Sequence, residues 1–197
     1  MTHLTPPSVD ASAAVARFAA TAPADVAYAT IDSPVGALVA AATPRGLACL
    51  GYADYHGGVD PVLEQLAAKL SPRVLHAPAR LDEVRRELDE YFDGKRTAFD
   101  LPIDLALARP FSRRVLEATA RIPFGATSTY GEIAALAGSP RGSRAAGRAL
   151  GSNPIPIVVP CHRVLARDGS LHGYTGGLHR KEALLTLEGV LLPGGGE

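Results

Sequence analysis

The sequence predicts an α+β protein in two parts: a small antiparallel sheet with helices, then a helical domain containing a helix-turn-helix. Three observations lead there. β-prone apolar segments separated by Pro- and Gly-containing turns crowd residues 26–52. Beyond residue 110 the apolar spacing changes to the three-and-four period of helices. In that second half a capping box and a Ser-Pro helix start follow one another closely, at Thr129 and Ser139.

Taken in order, residues 1–24 are rich in Ala, Pro, Thr and Ser and are expected to be a flexible tail. Segments 26–31, 37–42 and 47–52 should be strands of an antiparallel meander, turned at Ser33-Pro34-Val35-Gly36 and Thr43-Pro44-Arg45-Gly46. Asp60-Pro61 should cap a helix running to about Leu70. A second helix over 79–93 puts Leu81, Val84, Leu88 and Phe92 on one face and stops at Gly94. These make an N-terminal domain, 25–104, with residues 101–110 as the connection. Helix 111–122 turns Phe111, Val115 and Leu116 inward. Thr129-Tyr130-Gly131-Glu132 opens a helix that ends near Gly138, and Ser139-Pro140 opens the next, to Gly151. A last helix over 178–188 precedes Gly189. The C-terminal domain is thus 105–192, with 193–197 as a tail.

Composition narrows the classes. No apolar stretch approaches the roughly 18 residues of a membrane span, and the N-terminus lacks the basic start and compact apolar core of a signal peptide. Two cysteines point to a reducing, cytoplasmic setting and cannot make a Cys-rich zinc site. Net charge is zero, yet residues 1–104 carry 9 Lys/Arg against 14 Asp/Glu, while residues 105–197 carry 11 against 6. The basic half suits a nucleic-acid partner. Within it, Arg141, Arg144 and Arg148 recur at spacings of three and four among Gly, Ala and Ser, so they should share one helix face. Small residues allow close approach, and a cationic stripe suits a DNA groove.

The same half holds the chemistry. Val159-Pro160-Cys161-His162-Arg163-Val164 closes an apolar run, 155–159, that reads as a buried extended segment carrying a thiol at its end. An imidazole and a cation beside the thiol favour the thiolate, the reactive form. An imidazole needs a third group to orient it. Glu188, at the negative end of the last helix, is the candidate, because Glu132 is taken by the capping box and Asp168 by an Asp-Gly turn. Cys49 lies in a buried strand pattern and reads as a small hydrophobe. Gly173-Tyr174-Thr175-Gly176-Gly177 is a glycine loop with a stacking face for a planar ligand. Tyr130 stands at the entrance of the helix pair.

Five ordered motifs carry a resemblance: Thr129-Tyr130-Gly131-Glu132-Ile133-Ala134, Arg144-Ala145-Ala146-Gly147, the run Asn153 to Val164, Gly173-Tyr174-Thr175-Gly176-Gly177-Leu178, and Leu187-Glu188-Gly189. Together they resemble the O6-alkylguanine-DNA alkyltransferases, also called methylated-DNA–protein-cysteine methyltransferases. The match is strong over residues 105–190 and weaker back to about residue 26. The resemblance implies a ribonuclease-H-like N-terminal module and a winged-helix-like DNA-binding domain that places its second helix in the minor groove. It implies direct repair: irreversible, stoichiometric transfer of an alkyl group from a flipped-out O6-alkylguanine to Cys161, with O4-alkylthymine a further candidate substrate. His162 would be the base through a bridging water, Glu188 its orienting carboxylate and Asn153 a hinge. Tyr130 would assist rotation and protonate the leaving base. Arg144 would fill the vacated space, with Arg141 and Arg148 as further DNA contacts. Tyr174 and Thr175 would line the pocket, and backbone at Cys161 and Val164 would read the guanine amino group. Arg148, Gly142 and Ser143 depart from the family's pattern. No cofactor and no metal are implied. The expected partner is double-stranded DNA containing alkylated guanine. The chain should be a cytoplasmic monomer, with assembly of several copies along DNA left open. A lesion-recognition protein without transfer and a cysteine hydrolase are the competing classes, and Cys161 argues against the first.

Overall fold

The computed structural model describes residues 25–191, so the two expected tails, 1–24 and 193–197, lie outside the described residues. Strands β1 (Val26–Ile31), β2 (Leu38–Thr43) and β3 (Gly46–Tyr52) form the expected meander. The sheet is nevertheless mixed. A short strand β4 (Val74–His76) adds to β1 in parallel, giving the order β3-β2-β1-β4. Three residues carry too little alternation to be seen in sequence.

Between β3 and β4 runs α1 (Val59–Lys69). Its N-cap is Gly58, not Asp60-Pro61, which lie inside the first turn. The next helix starts as a 3₁₀ turn, Pro78–Leu81, and continues as α2 (Asp82–Phe92). Leu81, Val84 and Leu88 face inward as expected, joined by Tyr91 and the buried Glu87.

The two faces of the sheet are covered differently. Val39 and Ala41 of β2 and Cys49 of β3 pack with Val62 and Leu66 of α1. Their alternating neighbours, Leu38, Ala40 and Leu50, join a core that continues without a break through Leu88, Tyr91, Val115, Leu116, Ile133, Ile155 and Leu184. Each fully buried aliphatic side chain there contributes roughly 1.5–3 kcal/mol. One core therefore serves both modules. The connection is stitched to the sheet as well. Ile103 bridges to Leu47, and a side chain at Gly46 would run into the carbonyl of Pro102.

The second module contains α3 (Pro110–Thr119), β5 (Ser128–Thr129), α4 (Tyr130–Leu136), α5 (Ser143–Gly151), β6 (Val164–Leu165) and α6 (Leu178–Leu187). The Thr129–Glu132 capping box is formed in both directions. Two expectations fail here. The helix after Ser139-Pro140 begins only at Ser143, because residues 139–142 close a turn in which the Gly142 amide donates to the Ser139 carbonyl. Arg141 thus precedes the helix; it lines a cleft with Arg144, while Arg148 lines a different groove, so the three do not share one face. The apolar run 155–159 is also no strand. It is a buried turn in which the Val159 amide donates to the Ile155 carbonyl and Ile157 holds a φ of +74°. Alternating Ile-Pro-Ile looks extended in sequence, but Pro156 has no amide to give a ladder and the amides of Val158 and Val159 are spent within the segment. Edge strand β3 spends one amide, that of Leu50, on the Pro154 carbonyl at the start of this turn.

Candidate active site

Asn153 organises the turn that presents Cys161. Its Oδ1 accepts from the Ile155 amide at 3.0 Å, and its Nδ2 donates to the Val159 carbonyl at 2.8 Å and to Cys161 Sγ at 3.2 Å. Cys161 then opens a one-turn 3₁₀ helix, Cys161–Arg163, which carries His162 and Arg163 into the interior. All three side chains are buried.

Behind them sits Glu188, the C-cap of α6. Its carboxylate is almost fully engaged. Oε1 is 2.8 Å from His162 Nε2 and accepts from Tyr91 Oη at 2.6 Å and from Arg163 Nη2 at 2.8 Å. Oε2 accepts from Arg163 Nε at 2.7 Å. Burial pushes this carboxyl up, but the His162 and Arg163 hydrogen bonds outweigh it and hold the pKa at about 2. Glu188 is therefore an ionised acceptor, so His162 carries its proton on Nε2 and leaves Nδ1 as the free lone pair. Nδ1 is buried and has no hydrogen-bond partner in the protein. Burial holds the His162 pKa below its usual value, against the pull of Glu188, so the ring is neutral at pH 7.

The thiol behaves differently from the sequence-based expectation. Neighbouring cations and imidazole were expected to favour thiolate. Burial instead pushes Cys161 up to about 11, even with the Asn153 hydrogen bond and the Lys181 charge pulling it down. Desolvation wins because Cys161 is only 5% exposed and the imidazole beside it is uncharged. Cys49 is also a buried thiol, pushed up to about 12, in keeping with a packing role.

Tyr130 and Arg144 line one cleft with Arg141, Gly147, Arg167 and His172. The Tyr130 ring lies against Gly147, where a methyl group would sit 3.7 Å away. Arg148 faces a second groove on the other flank of α5. Tyr174 hydrogen-bonds through its hydroxyl to Tyr52 at 2.9 Å, and Thr175 donates to the Gly151 carbonyl at 2.8 Å. At Val164, where the backbone was expected to read the guanine amino group, the carbonyl accepts from Lys181 Nζ at 2.6 Å.

Sequence reasoning passed over four site residues. Arg163 was visible only as part of the Cys-His-Arg run; its fork clamps Glu188 and its third nitrogen donates to the Ile122 carbonyl. Tyr91 belongs to the first module, which showed no catalytic cluster in sequence. Buried Lys181 donates to two carbonyls, those of Val164 and His172. Arg180 donates to the Val35 and Gly176 carbonyls and to Asp54, and lies 4.5 Å over the Tyr52 ring. Among the described residues no group of three His, Cys, Asp or Glu could hold a metal ion, and no helix is long and apolar enough to cross a membrane.

Fold and site together define a class: a helix-turn-helix protein with a buried cysteine next in sequence to a histidine that is hydrogen-bonded to a buried glutamate. Two family models match. One, 6-O-methylguanine DNA methyltransferase, ribonuclease-like domain, covers residues 26–105; the other, the DNA binding domain of the same family, covers 110–190. A methylated-DNA–protein-cysteine methyltransferase of Mycobacterium bovis is 42% identical over 164 residues, 82% of this chain and 91% of that protein. One from Methanosarcina barkeri is 38% identical over 82% of this chain and 96% of its own length. The crystal structure of Mycobacterium tuberculosis O6-methylguanine methyltransferase superposes with a TM-score of 0.72 at 40% identity, over 86% of this chain and 96% of that one. A second structure from that organism, in complex with DNA, gives 0.71 at 40% identity, over 82% of this chain and 92% of that one. The chain belongs to the 6-O-methylguanine DNA methyltransferase family.

Proposed function

We propose that this protein repairs alkylated DNA directly, taking the alkyl group of O6-alkylguanine in duplex DNA onto Cys161. The observation that supports the reading is the buried cluster around Cys161: Asn153 donates to its sulfur, and the adjacent His162 is hydrogen-bonded to a Glu188 that Arg163 clamps. The relatives' names, methylated-DNA–protein-cysteine methyltransferase, agree with it.

The chemistry follows from the protonation states. The resting thiol is protonated, so it must lose its proton as it attacks. His162 Nδ1 is the available base, reached through one water, and Glu188 stabilises the imidazolium that forms. Sulfur bonds to the alkyl carbon as the carbon–O6 bond breaks, and the electron pair leaves on guanine. Tyr130 gives the departing base a proton and is resupplied from the relay, so the thiol's proton ends on guanine. The thioether product has no leaving group, and one chain repairs one lesion.

DNA is held by the helix-turn-helix, with Arg144 entering the space left by the swung-out nucleotide. Arg141 and Arg148 contact the strands on either side. Tyr174 and Thr175 line the pocket, and the backbone at Cys161 and Val164 reads the base edge. O4-alkylthymine is a second substrate of the same pocket. Residues 25–104 serve as a supporting domain and 105–192 as the transferring one. The protein acts as a cytoplasmic monomer.

Intact-mass measurement after mixing with O6-methylguanine duplex tests this. We expect a gain of one methyl group per chain, no gain in Cys161→Ser, and duplex binding retained by that variant. Undiminished transfer by Cys161→Ser, or continuous turnover by the wild type, would overturn the assignment. Tight binding with no mass gain would favour lesion recognition alone.

A further inference from the structure

The groove on the far side of α5 from Tyr130 has a volume of about 640 Å³ and lies between the two modules. Lys69 at the end of α1 and Arg109 at the N-cap of α3 reach it from opposite modules, and Arg148 of α5 lines it too. All three are exposed, and none makes an ion pair among the described residues. Among the described residues no carboxylate lines the groove. Tyr55, 56% exposed, and His56 add an edge-to-face aromatic pair to its wall. Cations interleaved with exposed aromatics, free of acids, suit a nucleic-acid strand better than a protein partner.

The opposite flank of α5 is also basic. Arg141, Arg144, Arg167 and His172 line it, and its one acid among the described residues, Glu132, is held by the capping box. A helix seated in either groove of a duplex has one sugar-phosphate backbone on each side. Two basic clefts flanking one small-residue helix match that arrangement. We propose that the inter-module groove cradles one backbone of the duplex, with Lys69 and Arg109 contacting its phosphates, while the cleft beside Tyr130 takes the other. The assignment rests on the proposed repair of duplex DNA and deepens it. The first module becomes part of the DNA-binding surface.

The test uses the full chain carrying Lys69→Gln and Arg109→Gln. Each phosphate contact adds about 0.9 to the slope of log affinity against log salt. We expect the double variant to lower the slope by about 1.8 and each single variant by about 0.9. Transfer from free O6-methylguanine base should match wild type, which also verifies folding. Lys95→Gln removes a cation outside the groove and should leave the slope unchanged. A double-variant slope equal to wild type, or an equal drop in Lys95→Gln, overturns the proposal. The two readings fail separately. If the wild type gains no alkyl group from duplex, repair itself is wrong. If it does and the slope holds, only the groove assignment is wrong.

Discussion

The reactive sulfur is kept in its unreactive form. A thiol near pKa 11 resists oxidation and stray alkylation, and it gains nucleophilicity only when a base takes its proton. In the proposed reaction that places the demand on His162, which must be neutral and correctly turned. Glu188 holds the ring by a hydrogen bond to Nε2, and it can stay ionised while buried because Arg163 meets it with two nitrogens. The arrangement is costly to break by halves. Glu188→Gln leaves Arg163 buried without its anion, and we expect a loss of about 3–5 kcal/mol at neutral pH. The pH dependence has a definite sign. The folded pKa of about 2 lies below the usual 4.5, so this contribution is complete above pH 4.5 and disappears as pH falls toward 2. Urea titrations at pH 7 and at steps below 4.5 should show the gap between variant and wild type narrowing. A gap that stays constant across that range would show that the carboxylate is not the source.

At the scale of elements, the decisive piece is the turn between α5 and the 3₁₀ helix. Ile157, at φ +74°, is the one non-glycine residue among those described with a positive φ, and it is fully buried. A β-branched residue in that region carries about 1–3 kcal/mol of strain. The surrounding core and the Asn153 hydrogen bonds hold it there, and the bend it makes aims Cys161 back toward Asn153. Ile155 is equally buried without that strain. Ile155→Gly and Ile157→Gly both remove a buried side chain, but only the second releases the strained backbone. Ile157→Gly should therefore be less destabilising by about 1–3 kcal/mol in denaturant unfolding. Equal losses would mean that the backbone there is at rest. The glycine loop before α6 is fixed by a comparable close approach. A side chain at Gly176 would come within 2.5 Å of the Tyr52 ring, so this loop can lie against the first module only as glycine.

On the scale of the whole molecule, the first module completes the site and is more than an appendage to it. Tyr91 Oη reaches Glu188 across 97 residues of sequence, Tyr52 reaches Tyr174, and Arg180 ties the 33–36 turn and Asp54 to the glycine loop. Tyr91→Phe deletes one charged hydrogen bond at fixed shape and should cost about 1.5–3 kcal/mol. Because one core joins the modules, unfolding should remain a single cooperative transition, with fluorescence and circular dichroism changing together. Two separated transitions in the wild type would contradict a shared core. Legibility in the sequence tracks the range of each interaction. The strands β1–β3, the capping box, the stop at Gly94 and the motif around Cys161 could be read because turns, caps and periodicity act within a few residues. The parallel pairing of β4, the late start of α5 and the turn at Ile157 could not, since each depends on what else packs there. Which groups are present is written in the chain alone: a cysteine with a histidine beside it, a glutamate at the last helix end, arginines on and just before a small-residue helix. Their state is set by the fold. Burial sets the protonation of Cys161 and His162, and distant partners set that of Glu188, because desolvation and charge act through space and not along the chain.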